Sequence, residues 1–332
     1  MLNFYISGSQ TYHMFKKDDI YSRVTFDSIL FNKMLSPNGG NAISVDSNLS
    51  FIKSISEACE RHALIIPTTN PSKKYVSYDV ITNKIKYVSG YKIGYNYQTD
   101  STGTASHLNI FNAIEHSIGE LIEKNALLRM WYMNDVKNIS NVGWRPNSRK
   151  NIFLLNDFFF PYHIVLAAYK DKNQYWHCGL GSSLKNINIA KQNAYREMKL
   201  MWFQNNIDRA NSSLSKKYNK TIYWKWNLEQ IQHMDRLSSI NYVKKREYFS
   251  VNNPKNIREL GLLLSHTFKH MYIVLITDSL FSRPLLSVRC YSDELISCVA
   301  QKFLLLDLLI SNKSINFISL KDLENKVDCP IV

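Results

Sequence analysis

Apolar residues recur every three or four positions in three segments of the chain, which is the spacing of an amphipathic helix. The pattern predicts helices from Leu49 to Leu64, from Phe111 to Tyr132 and from Ile189 to Phe203. In the first helix the apolar stripe predicted to be buried consists of Ile52, Ile55, Cys59 and Ala63.

Shorter apolar segments between these helices have the length and residue types of β-strands. They are predicted to be a hairpin from Tyr75 to Tyr87 and strands within Ile152 to Tyr169, Tyr175 to Gly179, Tyr272 to Thr277 and Leu285 to Tyr291. Helices and strands therefore alternate without a repeat. The predicted fold class is α+β (mixed α/β).

Turn and cap residues predict where further elements begin and end. The glycines at 179–183 predict a turn, and the polar residues at 204–221 predict a surface loop. Asn253 is predicted to cap a helix that ends at Leu264, and Ser292 to cap a last helix that ends at Ser311.

The composition is that of a globular chain with a basic surface. The 332 residues include 41 Lys plus Arg and 27 Asp plus Glu, a formal charge of +14, and 45% of them are hydrophobic. These values exclude fibrous and wholly disordered classes. Because the basic residues are scattered and form no stripe, we expect no nucleic-acid partner, although a nucleic-acid-binding protein is one hypothesis that the charge raises.

The cysteines and the apolar runs bear on the compartment. Five cysteines without a CxxC pair indicate neither a disulfide framework nor a zinc ribbon, which favours the cytoplasm. Asp or Lys interrupts every long apolar run, and the first residues lack the pattern of a signal peptide. We therefore expect no membrane association.

Carboxylates at helical spacing are the most informative feature of the sequence. Glu57, Glu60 and Arg61 are spaced i, i+3, i+4, and the second helix repeats this spacing. The second and third helices contribute Glu120, Glu123, Lys124 and Glu197. Carboxylates at this density suit Mg²⁺ with nucleotide phosphates, whereas each i, i+4 pair could equally be an ordinary surface ion pair worth about 0.2–0.5 kcal/mol. Neither a Walker nor a Rossmann motif is present in the sequence, so an ATP site would be unconventional.

Four blocks of the sequence resemble the YcaO-domain family, in the order in which that family has them. Residues 54–62 resemble SxxxEAxER, and residues 100–105 followed by 113–126 resemble SNGxAxG…EAIxHGLxELIERDA. Residues 177–183 with Ala190 and Glu197 resemble the third block, and residues 282–289 resemble a late strand that carries an arginine. The resemblance covers about residues 38 to 295.

The resemblance implies a YcaO-like domain at 38–332 with β-sheets packed on Glu-bearing helices, and an N-terminal extension at 1–37 where a partner contact is expected. It implies ATP and Mg²⁺ as cofactors. The implied metal ligands are Glu57, Glu60, Glu120, Glu123 and Glu197. The implied nucleotide contacts are Arg61, Ser101, Lys124 and Glu197, and the implied catalytic residues are Glu120, Glu123 and Arg289.

Within the family the chain is similar to the small YcaO (D) subunits of microcin B17-type thiazole/oxazole synthetases. This similarity implies ATP-dependent formation of azolines from Cys, Ser or Thr of a ribosomally made precursor peptide. The implied partners are a leader-binding subunit resembling ubiquitin-activating enzymes and an FMN-dependent dehydrogenase. The last residues, 327–332, lack the family's PxPxP tail. Thioamide or amidine formation and a non-catalytic scaffold therefore remain alternatives.

Overall fold

The structure is a computed structural model, in which the chain divides into two compact units. The first comprises residues 1–122 and 254–299, and the second comprises residues 123–253 and 300–332. The described residues are 3–8, 19–25, 30–31, 34–35, 39–64, 71–93, 95, 101–140, 151–171, 173–210, 226–240, 253–276, 285–297, 302–311 and 314–331.

The first unit contains a three-stranded antiparallel sheet next to a helix. Its strands are β1 (Asn3–Gly8), β2 (Ile20–Thr25) and β5 (Gly39–Ser44), in the order β1-β2-β5. A two-residue pair, β3 (Leu30–Phe31) and β4 (Met34–Leu35), lies between β2 and β5 in the chain. Helix α1 (Ser47–Ala63) packs on β5 and β2 and begins at the N-cap Asp46, whose Oδ1 accepts the N–H of Leu49 at 2.7 Å.

A five-stranded antiparallel sheet forms the rest of the first unit. Its order is β7-β6-β13-β14-β8. The strands are β6 (Lys74–Asp79), β7 (Ile85–Ser89), β8 (Thr104–His107), β13 (Tyr272–Ile276) and β14 (Leu286–Tyr291). Helix α2 (Ile110–Met133) follows β8 and continues into the second unit, while α5 (Ile257–Leu264) precedes β13. The hairpin predicted at 75–87 and the strands predicted at 272–277 and 285–291 are thus confirmed within two residues at their described ends.

The second unit is a four-stranded antiparallel sheet with helices. The order is β12-β11-β10-β9, formed by β9 (Lys137–Asn138), β10 (Asn151–Asn156), β11 (His163–Lys170) and β12 (Trp176–Ser183). Helix α3 (Ile187–Ala210) lies on β12 and β11. The remaining helices are α4 (Leu228–Ser239), α6 (Lys302–Ser311) and α7 (Leu320–Leu323). The mixed α+β fold class is confirmed, and no described helix is long and apolar enough to cross a membrane.

The buried face of α1 differs from the predicted stripe. Ile52 is 42% exposed, whereas Ser54 and Ala58 are fully buried. These small residues face Gly40 of β5, where an added Cβ would lie 2.1 Å from the Ser54 carbonyl oxygen. Close approach of strand and helix, and not apolar bulk, therefore determines which side of α1 is buried.

The glycine turn predicted at 179–183 is wrong, because β12 continues as a strand to Ser183. A Cβ at Gly179 would lie 2.0 Å from the Met198 nitrogen, and one at Gly181 would lie 2.2 Å from the Ala194 nitrogen. The glycines thus let α3 lie directly on the strand. The predicted loop is also wrong at 204–210, which is helical, and its part at 211–221 lies outside the described residues.

Two predicted helix starts are wrong. Helix α5 is capped by Asn256, whose Oδ1 accepts the Glu259 N–H at 3.0 Å, and not by Asn253. The last predicted helix begins at Lys302, because the Ser292 hydroxyl donates to the His270 carbonyl and accepts the Glu294 N–H in a turn. Residues 298–301 lie outside the described residues.

Candidate active site

Glu57 is held at the contact between α1 and β5 in the first unit. Its carboxylate pairs with Arg61 one turn later and accepts the backbone N–H of Asn41. Arg61 also donates to the Gly39 carbonyl at 3.2 Å. Burial raises the pKa of Glu57, and the Arg61 charge and the Asn41 N–H oppose that shift. The i, i+4 pair predicted as an alternative is therefore present, and it fixes the orientation of the carboxylate.

Glu60 lies one turn further along α1 and contacts β8. Its Oε1 accepts the Ser106 N–H at 3.0 Å. Burial raises the pKa of Glu60 to about 8, the Glu57 carboxylate adds to the shift, and the Ser106 N–H and Arg61 lower it. So high a pKa shows that the protein alone compensates the negative charge of Glu60 poorly.

The Glu57 and Glu60 pair fits a divalent cation. A cation beside a buried carboxylate supplies the charge compensation that Glu60 otherwise obtains by taking up a proton. Mg²⁺ is commonly held by one or two carboxylates together with phosphate oxygens. Among the residues that the structure describes, no group of three His, Cys, Asp or Glu side chains forms a metal site of its own. The donor set thus suits Mg²⁺ that arrives with a phosphate ligand.

In the second unit, Glu123 of α2 is held by Ser182 of β12. Both the hydroxyl and the backbone N–H of Ser182 bind the carboxylate. Burial raises the pKa of Glu123, while Ser182 and the charge of Lys124 lower it. Asn193 of α3 donates to the Ser182 carbonyl at 3.1 Å. The strand and helix that the glycines bring together therefore also position the serine that binds Glu123.

Glu197 lies on α3 above the same glycine-containing strand. A Cβ at Gly179 would lie 2.6 Å from the Glu197 carbonyl carbon, so the helix backbone here rests directly on β12. The Glu197 side chain is exposed. Glu120 is partly buried on α2, in the part of the helix that belongs to the first unit, one turn before Glu123. The predicted carboxylates are thus distributed over both units: Glu57, Glu60 and Glu120 in the first, and Glu123 and Glu197 in the second.

Known structures of the same architecture identify the fold. YcaO from Methanopyrus kandleri bound with AMPPCP and Mg²⁺ matches with a TM-score of 0.62 at 10% identity, over 89% of this chain and 86% of that one. A chain of the E. coli microcin synthetase McbBCD complex with pro-MccB17 bound matches with a TM-score of 0.63 at 12% identity, over 90% and 89%. The chain has the YcaO fold. No family model and no curated protein matches the sequence.

A heterocyclase in complex with substrate and cofactor is also similar, with a TM-score of 0.55 at 12% identity over 82% of this chain and 47% of that one. At such identities the likeness establishes the fold alone. It does confirm that the short sequence blocks pointed to the right fold.

The YcaO-like sequence block that contains Ser101 forms a tight turn at residues 101–104 of the first unit. The Thr104 N–H donates to the Ser101 carbonyl at 2.8 Å, and Gly103 has a φ of 71°, which favours glycine. A Cβ at Gly103 would lie 2.8 Å from the Cys290 carbonyl oxygen. The Ser117 hydroxyl of α2 donates to the Gly103 carbonyl at 2.6 Å. The turn is thus clamped between α2 and β14, and Ser101 is partly buried beside it.

Arg289, predicted to be catalytic, is fully buried in the first unit. Its Nε donates to the Ile93 carbonyl at 2.9 Å and its Nη1 to the Thr104 hydroxyl at 3.1 Å. Thr104 lies on β8 two residues before Ser106, the residue that binds Glu60. In the structure Arg289 therefore supports the strand behind Glu60, and its direct role in catalysis stays a prediction.

Two residues that orient the carboxylates were not among the predicted site residues. Ser106 binds Glu60 through its backbone N–H, a group that every residue except proline has, so its residue type carries no signal. Ser182 binds Glu123 with both hydroxyl and N–H. Its position directly after the two glycines of β12 is the one signal that marks it.

Proposed function

We propose that the chain is an ATP-dependent YcaO-type enzyme that activates backbone amides of a ribosomally made peptide and forms azolines from Cys, Ser or Thr. The observation that carries the proposal is the state of Glu60. Burial and the neighbouring Glu57 carboxylate raise the pKa of this partly buried side chain to about 8, in a fold in which a known structure has AMPPCP and Mg²⁺ bound. A charge that the protein compensates poorly is suited to a metal-nucleotide complex.

In this proposal the carboxylates hold Mg²⁺ and thereby the nucleotide phosphates. The side chains assigned to metal binding are Glu57, Glu60, Glu120, Glu123 and Glu197. Bound Mg²⁺ disperses negative charge on the transferring phosphoryl group. Three further side chains are assigned to nucleotide contacts: Arg61, Lys124 and Ser101.

Arg61 can pair with Glu57 and contact a phosphate at the same time. Its side chain is 40% exposed, so its pairing with Glu57 leaves part of the guanidinium accessible to a phosphate. Glu57 and the Gly39 carbonyl fix its direction. A guanidinium held in this way loses little conformational entropy when it binds an anion.

The reaction sequence requires ATP because an amide oxygen is a poor leaving group. The substrate hydroxyl or thiol adds to the preceding carbonyl carbon, and the resulting oxyanion attacks the γ-phosphorus with ADP as the leaving group. The C–O bond to the phosphoryl group then breaks, nitrogen loses its proton and forms the ring C=N bond, and phosphate leaves with the former amide oxygen. The peptide therefore loses one water overall. A leader-binding subunit delivers the peptide, and an FMN-dependent dehydrogenase oxidises the azoline. The related E. coli synthetase is itself a complex with its peptide bound, which supports such an assembly.

The test of this proposal follows ADP release and peptide mass together. The full chain is assayed with its partner proteins and precursor peptide, as wild type and as Glu123→Gln, which keeps the shape of the side chain and removes its charge. We expect Glu123→Gln to lower ADP release by at least about tenfold, since charge stabilisation at a phosphoryl group is worth several kcal/mol. Glu229→Gln, at an exposed glutamate of α4, is the matched control and should behave as wild type.

The peptide mass distinguishes the alternatives. Loss of one water at a Cys, Ser or Thr, or of one water and two hydrogens after oxidation, supports azoline formation. Exchange of oxygen for sulfur would replace it with thioamide formation, and loss of water at an amide without a Cys, Ser or Thr would replace it with amidine formation. A wild-type chain that binds the complex but releases no ADP would contradict catalysis and favour a scaffold. Equal ADP release by wild type and Glu123→Gln would contradict the role of Glu123.

A further inference from the structure

Strand β7 is an edge of the five-stranded sheet, at the end opposite to β8. Its ladder with β6 determines which backbone groups point outward. The Asp79 N–H donates to Lys84 at 2.8 Å and the Gly90 N–H to Lys73 at 2.9 Å. Because hydrogen-bonded and outward-pointing residues alternate in an antiparallel pair, the remaining backbone groups face away from β6. They belong to Ile85, Tyr87 and Ser89. No described strand pairs with this outer side of β7.

Apolar side chains beside this edge are exposed. Ile85 is 68% exposed, Tyr87 is 71% exposed, and Val76, opposite Tyr87 on β6, is 53% exposed. All three lie on the same sheet face, because directly paired residues and alternate residues of a strand share a face. A strand added to β7 would cover these side chains as well as satisfy the outward backbone groups.

The charge around the edge indicates what such a strand must contain. Residues 71–93 include five lysines and one acid. Four of the lysines are exposed: Lys73, Lys74, Lys84 and Lys92. The acid, Asp79, is 2% exposed and accepts a hydrogen bond from His270 and one from Thr82. Asp293 lies 3.0 Å from Lys92 and 4.0 Å from Lys86 and compensates part of their charge. The positive charge that an added strand meets therefore comes from Lys73, Lys74 and Lys84.

The same lysines exclude a second copy of the chain as the occupant. Two β7 edges paired with each other would bring Lys84 and Lys86 of both copies together, and lysines on edge strands discourage such pairing. An acidic strand would instead gain from the charges. The favoured occupant is thus an extended segment in which acidic and apolar residues alternate.

The edge is separate from the carboxylates described above. Four inter-strand steps of roughly 4.8 Å, about 19 Å in all, lie between β7 and β8, where Ser106 binds Glu60. A segment bound at β7 would therefore anchor a partner without reaching Glu60.

We propose that β7 is a docking edge for an extended acidic and apolar segment of a partner protein, which binds by adding a strand beside Ile85, Tyr87 and Ser89. Backbone hydrogen bonds provide the binding energy, Tyr87, Ile85 and Val76 contact the apolar residues, and the lysines select for acids. This inference does not require the chain to bind ATP.

The test uses the full chain and a short synthetic peptide in which glutamate and valine alternate, with binding measured by fluorescence anisotropy. Tyr87→Pro removes an outward N–H while every bond to β6 is kept, and it should weaken binding by at least about tenfold. Lys84→Glu should weaken it similarly. Lys255→Glu makes the same charge change outside the hairpin, at an exposed position, and should bind as wild type.

Hydrogen exchange locates the bound peptide. The amides of residues 85, 87 and 89 should be slowed by the peptide, whereas those of 86 and 88, which point toward β6, should not change. Failure of the glutamate peptide to bind, equal binding of a lysine and valine peptide, or unchanged binding by a folded Tyr87→Pro variant would overturn the proposal. Displacement of the peptide by a single-stranded RNA that slows the same amides would assign the edge to nucleic acid and overturn it as well.

Discussion

Lys191 is a buried lysine of the second unit, only 2% exposed. Its Nζ donates to the Ile139 carbonyl at 3.0 Å and lies 5.4 Å from the centre of the Phe153 ring. Burial lowers its pKa from 10.5 to about 8. The charged form is thus less favourable in the folded protein than in the unfolded chain.

This shift predicts how a substitution at Lys191 changes stability with pH. Below about pH 8 the full cost of burying the charge is present, and it disappears as pH rises through 10.5, where both states are neutral. Lys191→Met removes the charge. The difference in unfolding free energy, variant minus wild type, should therefore be more positive near pH 7 than near pH 10, by roughly 1–3 kcal/mol.

Denaturant unfolding at the two pH values measures this difference. Lys185→Met, at an exposed lysine just before α3, is the matched control and should show no such change between the two pH values. A difference for Lys191→Met that is equal at both pH values, or larger near pH 10, would contradict the buried charge.

At the scale of elements, the contact of β5 with α1 depends on Gly40. A Cβ there would lie 2.1 Å from the Ser54 carbonyl oxygen, 2.5 Å from the Ala58 nitrogen and 3.0 Å from the Glu57 Cβ. Its neighbour Gly39 has more room, with 3.2 Å to the Val24 carbonyl oxygen. The two adjacent glycines therefore form a matched pair for testing this contact.

Gly40→Ala should destabilise the protein by about 1–3 kcal/mol or more, because the helix backbone must move away from the strand. The same movement displaces Glu57 and should weaken its bond to the Asn41 N–H. Gly39→Ala should lower the free energy of unfolding clearly less than Gly40→Ala does. Thermal unfolding of both variants checks the order, and a Gly39→Ala variant as unstable as Gly40→Ala would argue against the close contact.

The sequence predicted the long carboxylate-bearing helices because their apolar spacing is sustained over several turns. It failed where close backbone contacts decide the structure. Ser54 and Ala58 are buried although they are small, since Gly40 lies against them. The glycines of β12 wrongly predicted a turn, because the local sequence does not indicate that α3 packs directly on them.

The sequence likewise indicated some residues of the candidate site and not others. The i, i+3, i+4 spacing identified Glu57, Glu60 and Glu123, whose pKa values are all raised by burial. The sequence could not reveal that Ser106 binds Glu60 through its backbone, since that bond depends on the packing of α1 against β8. It also placed Arg289 at a catalytic position without indicating that the side chain is fully buried.

At the scale of the whole molecule, the YcaO fold is retained at 10–12% identity to the Methanopyrus kandleri and E. coli structures. Such a fold persists when packing contacts and a few polar positions are kept while most surface residues change. The glycines that allow close packing and the carboxylates on the helices are positions of this kind. They account for short blocks of resemblance in a sequence that matches no family model.

Direct binding of a metal-nucleotide complex tests the account most simply, and calorimetry with AMPPCP on the full chain measures it without partners or peptide. The wild type should bind AMPPCP in the presence of Mg²⁺ and lose most of that affinity when the metal is chelated. Glu60→Gln should bind at least about tenfold more weakly than wild type, with Glu229→Gln unchanged. Binding that is indifferent to Mg²⁺, or equal for Glu60→Gln and Glu229→Gln, would contradict the assignment of the carboxylate helices.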